Sequence, residues 1–174
     1  MIIVKAKKFI LRKYRKGDEE LLRKNINNRK VAKYMSNVPY PYTIKDAREW
    51  IAKNLKWQKE KKPTEHKFVI DIDGEVVGAV GFSSISWEHK AEIGYWLAEK
   101  HWRQGIMTEA VKLAVKFGFK ELKLKRIFAI VFSPNLASKR VLEKAGFELE
   151  GIMRKHDKKH NKFFDSYLFA MTNN

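Results

Sequence analysis

Glu92-Ile93-Gly94-Tyr95-Trp96-Leu97-Ala98-Glu99-Lys100-His101-Trp102-Arg103-Gln104-Gly105-Ile106-Met107-Thr108-Glu109-Ala110 is the stretch that organises the whole chain. Its first part, with aromatic and branched residues, reads as a strand from Ala91 to Leu97. A basic loop with one glycine follows, then a helix from about Ile106 to Lys120, with Ala110, Leu113, Ala114 and Phe117 in phase. A strand, loop and helix in this order direct unpaired backbone N–H groups and the positive end of a helix dipole at one point. A pyrophosphate fits such a point, and Gly105 lets the backbone approach it without a Cβ. A plain connection explains the same residues, so a second signal is needed.

Working outward, Phe68-Val69-Ile70-Asp71-Ile72, Asp73-Gly74 and Val76-Val77-Gly78-Ala79-Val80 read as a hairpin, because Asp-Gly between two β-rich runs favours a tight turn. Upstream, a strand is expected around Phe9-Ile10-Leu11. Gly17-Asp18 opens a helix through Leu21, Leu22 and Ile26, and a second short helix runs through Val31 and Tyr34. Pro39 and Pro41 interrupt it. Thr43 is a good N-cap with Asp46 at the capping-box position, and the helix after it places Ile44, Ala47, Trp50, Ile51 and Leu55 on one face. Downstream, Ile127 to Phe132 reads as a buried strand. Ser133 and Pro134 begin a helix as N-cap and first-turn residue, and Gly146 closes it. Two last strands, near Phe147 to Met153 and Phe163 to Phe169, flank a polar turn. The order is that of an α/β domain on one mixed sheet, expected to be a single domain over residues 1–174.

Composition narrows the chemistry. With 174 residues, 44% of them hydrophobic, the chain can bury one core. It has no cysteine, which removes disulfides, thiolate metal sites and a cysteine nucleophile. No apolar run approaches the roughly 18 residues of a membrane span, and the N-terminus lacks a secretory signal pattern, so a cytoplasmic protein without membrane contact is expected. The formal net charge is +17, which favours encounters with polyanions such as RNA or the ribosome. Of the 37 basic residues 28 are Lys and 9 Arg, a bias that base composition alone can also produce.

The second signal is Ser133-Pro134-Asn135-Leu136-Ala137-Ser138-Lys139-Arg140-Val141-Leu142-Glu143-Lys144-Ala145-Gly146-Phe147. Asn135 and Ser138 lie three apart and share a helix face. Capping explains such residues at a helix start, but with Ser133 in that role Ser138 is left less well explained. The two segments, in this order and spacing, resemble the GNAT acetyltransferases, and more narrowly the branch that includes the RimJ/RimL ribosomal-protein N-terminal acetyltransferases. Trp102 to Ala110 resembles that branch's acetyl-CoA loop, and Asn135 to Phe147, continuing into Glu150-Gly151, its second motif. Val38 to Thr43 and Asp165 to Leu168 extend the likeness over nearly the whole chain. The broad superfamily loop reads Gln/Arg-x-x-Gly-x-Gly/Ala. Here Trp102 holds the first position, as is usual in the narrower branch, and Met107 the last, from which it must point away from the pyrophosphate.

The resemblance implies the GNAT (acyl-CoA N-acyltransferase) fold: a mixed, mostly antiparallel sheet of about seven strands with a splayed pair, flanked by helices. It implies direct attack by an amine on acetyl-CoA in a ternary complex, with no metal. Pantetheine would pair with backbone near Leu97, Ala98 and Glu99, where an N–H could stabilise the oxyanion. Pyrophosphate would sit on N–H groups from Gln104, Gly105, Ile106, Met107 and Thr108, with Arg103 as counter-charge. Asn135 would touch the pantetheine arm, and Ser138 would hydrogen-bond or protonate the leaving thiolate.

Glu92 is the candidate general base. It lies on the strand beside the expected thioester, on one face with residues 94 and 96, and Gly94 leaves room for a substrate. An exposed strand glutamate and a water chain remain the alternatives. An α-amine of pKa near 7.7–8.0 is roughly a tenth neutral at pH 7, whereas a lysine near 10.4 is neutral in under about one molecule per thousand, so an N-terminal acceptor needs the weaker base. His156 and His160 have a zinc-like spacing, but they fall in a Lys-rich turn that repels a cation. The acceptor expected first is a protein N-terminal α-amine, ribosomal-protein type, with a small-molecule amine or amino acid as the alternative. The rival of another class is a basic nucleic-acid or ribosome-binding module without catalysis, supported by charge and by Tyr34, Tyr40, Tyr42, Trp50 and Trp57 near basic residues. Trp50, in phase with Ile51 and Leu55, reads better as core. Weak association with ribosome or RNA through the basic surface, and a monomer or homodimer, complete the expectations.

Overall fold

A computed structural model describes residues 2–35, 38–159 and 161–173. Among the described residues eight strands form one sheet in the order β1-β2-β3-β4-β5-β6-β8-β7. They are β1 (Ile2–Lys5), β2 (Ile10–Arg12), β3 (His66–Ile72), β4 (Glu75–Ser86), β5 (Lys90–Leu97), β6 (Arg126–Phe132), β7 (Glu148–Lys159) and β8 (Lys162–Thr172). Among the described residues five α-helices accompany them: α1 (Glu19–Ile26), α2 (Arg29–Ala32), α3 (Ile44–Trp57), α4 (Ile106–Lys120) and α5 (Leu136–Ala145). Seven strands follow from the sequence. The eighth is β1, whose short apolar run between charges carries little signal alone but pairs antiparallel with β2.

The hairpin at Asp73-Gly74 joins β3 to β4 as expected. Both turn residues have positive φ, 52° and 86°, which matches the twist of the flanking strands. Thr43 caps α3 in a full capping box with Asp46. At α1, Asp18 holds the N-cap position without a side-chain cap bond, because its carboxylate receives both terminal nitrogens of Arg12. Arg12 Nε reaches Asp71 at 2.6 Å, so one buried guanidinium ties β2, the start of α1 and β3 together. This ion group was not legible in the sequence.

Strand alternation separates two cores. Phe68, Ile70, Ile93 and Leu97 pack with Ile106, Ala110 and Ala114 of α4. Val69, Ala79 and Trp96 face the other way, onto Leu22, Ala47 and Ile51 of α1 and α3. Trp50 packs against this second core, as its phase indicates.

Among the described residues the only parallel pair, β5 with β6, is in register at Lys90 with Arg126, Ala91 with Ile127 and Glu92 with Phe128, and no further. Both strands run on, β6 still paired with β8 as far as Phe132 and Ser166. The sheet therefore opens between β5 and β6 beyond Glu92, which is the splayed pair. Among the described residues no helix is long and apolar enough to cross a membrane.

Candidate active site

The loop into α4 ends at the mouth of this opening. Arg103 and Gly105 both have positive φ, 60° and 78°, and this alternation turns successive N–H groups to one side. Gly105 is the N-cap of α4 and offers no side-chain acceptor. The first helical bond runs from the Glu109 N–H to the Gly105 carbonyl, 3.1 Å. Among the described residues no protein acceptor takes the N–H groups of Gln104, Ile106, Met107 or Thr108. A Cβ built on Gly105 would meet no atom within 4 Å, so the space in front of the cradle is open. Ile106 and Met107 are buried in the core, so these two residues give the cradle only backbone. Arg103 and Gln104 are exposed beside it. These residues fit a diphosphate: unclaimed donors, a helix N-terminus and a guanidinium, with no side chain in the way.

The backbone of β5 continues the site. Ala98 donates its N–H to Val77 of β4 across 2.8 Å. The alternation of an antiparallel ladder then turns the backbone groups of Tyr95 and Leu97 away from β4, toward the opening. The Leu97 carbonyl accepts the Trp102 indole N–H at 2.7 Å, which leaves the Leu97 N–H as a donor in the cleft. Of the three residues expected to meet pantetheine, Leu97 has its N–H turned to the opening by this alternation. Ala98 is paired within the sheet. Glu99 directs its carboxylate at Lys30 and Asn28, so it fastens the end of β5 to α2.

On the far lip, Asn135 rather than Ser133 caps α5, its Oδ1 accepting the Ser138 N–H at 3.1 Å. Ser133 does not cap because its backbone is still held to the sheet, its N–H pairing with Asp165 inside β8, and α5 starts only at Leu136. Asn135 thus serves as a cap, and its amide nitrogen has no partner among the described residues. Ser138 is half-buried at the start of α5, and its Oγ lies 2.8 Å from the Tyr95 hydroxyl. Tyr95 was not singled out from the sequence. Its odd position on β5 aims it at the α4–α5 side, opposite to Glu92.

Glu92 stands on the α1–α3 side, so Ser138 and Glu92 flank the opening from opposite faces of the sheet. Burial raises the Glu92 carboxyl above its ordinary range, helped by Glu65 and Asp157 and opposed by Lys67 and His156. No atom lies within 4 Å of a Cβ on Gly94, so the space one residue pair along is free.

The Lys-rich segment expected as a turn is strand. His156 lies exposed on β7, His160 falls outside the described residues, and no metal-binding group is found among the described ones. Lys159 has a definite task, donating to the carbonyls of Ala32, Lys33 and Met35 at 2.6, 3.0 and 2.9 Å. It fastens the β7–β8 hairpin to the C-terminal end of α2, where a cation is favoured.

The family model described as Acetyltransferase (GNAT) domain matches residues 8–148. An uncharacterized N-acetyltransferase, p20, of Bacillus licheniformis is 31% identical over 95% of this chain and 93% of its own length. The spermidine N(1)-acetyltransferase of Escherichia coli is 30% identical over 72% of this chain and 64% of its own length. Among solved structures, the RimL ribosomal L7/L12 alpha-N-protein acetyltransferase in complex with coenzyme A superposes with a TM-score of 0.89. It covers 99% of this chain and 98% of that one at 21% identity.

Proposed function

Because the chain belongs to the GNAT acetyltransferase family and is an N-acetyltransferase, we propose that it moves the acetyl group of acetyl-CoA to a primary amine by direct attack in a ternary complex. The observation that carries the reading is the unclaimed N–H cradle at the start of α4, opening onto the unpaired edges of β5 and β6. Acetyl-CoA supplies the acetyl group as an activated thioester.

The chain's own residues do the rest. N–H groups from Gln104 to Thr108, with Arg103, hold the diphosphate. Backbone of Tyr95 and Leu97 takes the pantetheine arm as an added strand, with the Asn135 amide beside it. The Leu97 N–H, free of β4, points where the carbonyl oxygen gains charge. As the C–N bond forms and the C–S bond breaks, the amine proton leaves to Glu92 or through water, and Ser138 donates to the sulfur. A base with a raised pKa is matched to this task near neutral pH.

The acceptor of this reading is a protein N-terminal α-amine, whose low pKa asks little of Glu92. A small polycationic amine is the second reading. It is favoured by Glu65 and Asp157 standing near enough to Glu92 to raise its pKa, and by the likeness to the spermidine enzyme. Incubating the protein with acetyl-CoA and, separately, peptides with free N-termini, amino acids and spermidine, with mass detection, separates the two. Turnover of peptides alone supports the first reading and turnover of spermidine alone the second. Glu92→Gln should lower kcat by about tenfold or more on the accepted substrate.

A further inference from the structure

Tyr95 and Ser138 are 43 residues apart and sit on opposite lips of the opening, one on β5 and one on α5. Their hydroxyls are 2.8 Å apart, and the Tyr95 hydroxyl is also 3.3 Å from the Ser138 carbonyl oxygen. Two arrangements satisfy these distances. In one, the serine donates to the phenol and the phenol to the carbonyl, so the serine proton is tied up. In the other, the phenol donates to the serine oxygen, and the serine proton is left for a third partner.

Three facts favour the second. A phenol is a stronger donor and a poorer acceptor than an aliphatic hydroxyl, as its far lower pKa reflects. The contact to Oγ is the shorter of the two. The Ser138 carbonyl lies at the start of α5, where the helical N–H four residues on already uses it. The Ser138 N–H is meanwhile fixed on Asn135, so backbone and side chain of the serine are both held.

We propose that Tyr95 is a positioning residue for the leaving-group step: its hydroxyl donates to Ser138 Oγ and so directs the serine proton into the opening, toward the sulfur. This rests on the reading of Ser138 given above. Burial raises the Tyr95 pKa, so the phenol stays protonated and acts as a fixed donor rather than as an acid that gives up its proton. The ring itself packs against the α4–α5 core, so Tyr95→Phe removes the donor and keeps the packing.

The test needs no acceptor. Coenzyme A bound to the protein is titrated through its thiolate ultraviolet absorbance, with desulfo-coenzyme A as the blank. Wild type, Tyr95→Phe, Ser138→Ala and the double variant are compared, and the affinity for coenzyme A is measured near neutral pH. The expected result is a bound-thiol pKa about one unit higher in each single variant, a tenfold change in the proton equilibrium, with no further rise in the double variant. Affinity for the protonated thiol form should change less than about twofold. A merely structural tyrosine would alter affinity and leave the thiol pKa in place. A shift in Ser138→Ala but none in Tyr95→Phe overturns the proposal and spares the reading of Ser138. A shift in Tyr95→Phe alone overturns it too, since the tyrosine would then act directly. No shift in either variant, or no binding of coenzyme A, overturns that reading and the proposal with it.

Discussion

The Trp102 indole N–H donates to the carbonyl of Leu97, 2.7 Å away, and closes the loop that leads from β5 into α4. One side chain thereby ties the donor-bearing end of the strand to the N–H cradle at the start of α4. Trp102→Phe keeps an aromatic ring at the position and loses the donor. A partly buried hydrogen bond of this kind contributes about 1 kcal/mol, so acetyl-CoA should bind roughly threefold to tenfold more weakly in calorimetric titration. Unaltered affinity would show that the loop holds its shape without this bond.

Arg12 anchors a buried ion group outside the site. Its side chain is 4% exposed, and those of its partners Asp18 and Asp71 are 2% and 5% exposed. Arg12→Leu leaves the buried Asp71 carboxylate without its cation and Asp18 with only the exposed Arg15, and should cost about 3–5 kcal/mol in urea unfolding. Arg12→Lys should recover little of it, because a point charge cannot replace a planar fork that meets two carboxylates. A loss below about 1 kcal/mol would mean that water reaches the group.

His66 gives the fold an acid-sensitive point. Burial, with Lys13 and Lys67 nearby, lowers its pKa from 6.5 to about 4, and its Nδ1 is buried against Phe68 and Phe117 without a partner among the described residues. The unfolded chain takes up this proton near 6.5 and the folded chain only near 4. Stability present at pH 7 is therefore lost as pH falls through that window, by an amount on the order of 1–3 kcal/mol. His66→Phe should flatten this part of the stability profile relative to wild type. Parallel profiles for the two proteins would rule out His66 as the cause.

Local chemistry made much of this readable. The Asp73-Gly74 turn, the capping box at Thr43 and the α4 phase depend on residues a few positions apart, and the structure has all three. Features that depend on distant partners were not readable. Asn135 displaces Ser133 as cap because Ser133 pairs with Asp165 on another strand. The run from Arg154 to Lys159 looks like a turn by its charge, yet it is strand because β8 pairs with it and its cations face solvent or, for Lys159, three carbonyls. Tyr95 is one aromatic among several until α5 folds back to bring Ser138 within 2.8 Å. Its position one residue from Gly94 and Trp96, on the opposite face of the strand, was the available signal.

The central claim is that the N–H cradle at Gly105 binds the diphosphate of acetyl-CoA. It is tested most directly by calorimetric titration with acetyl-CoA at low and moderate salt, using wild type and Gly105→Glu. The variant puts a carboxylate into the open space before the cradle, at a backbone φ of 78° that favours glycine. The account predicts saturable binding of about one equivalent that persists at moderate salt in wild type and is lost in the variant. Binding that fades with salt and ignores the variant would contradict it, and would assign the affinity to the +17 surface instead.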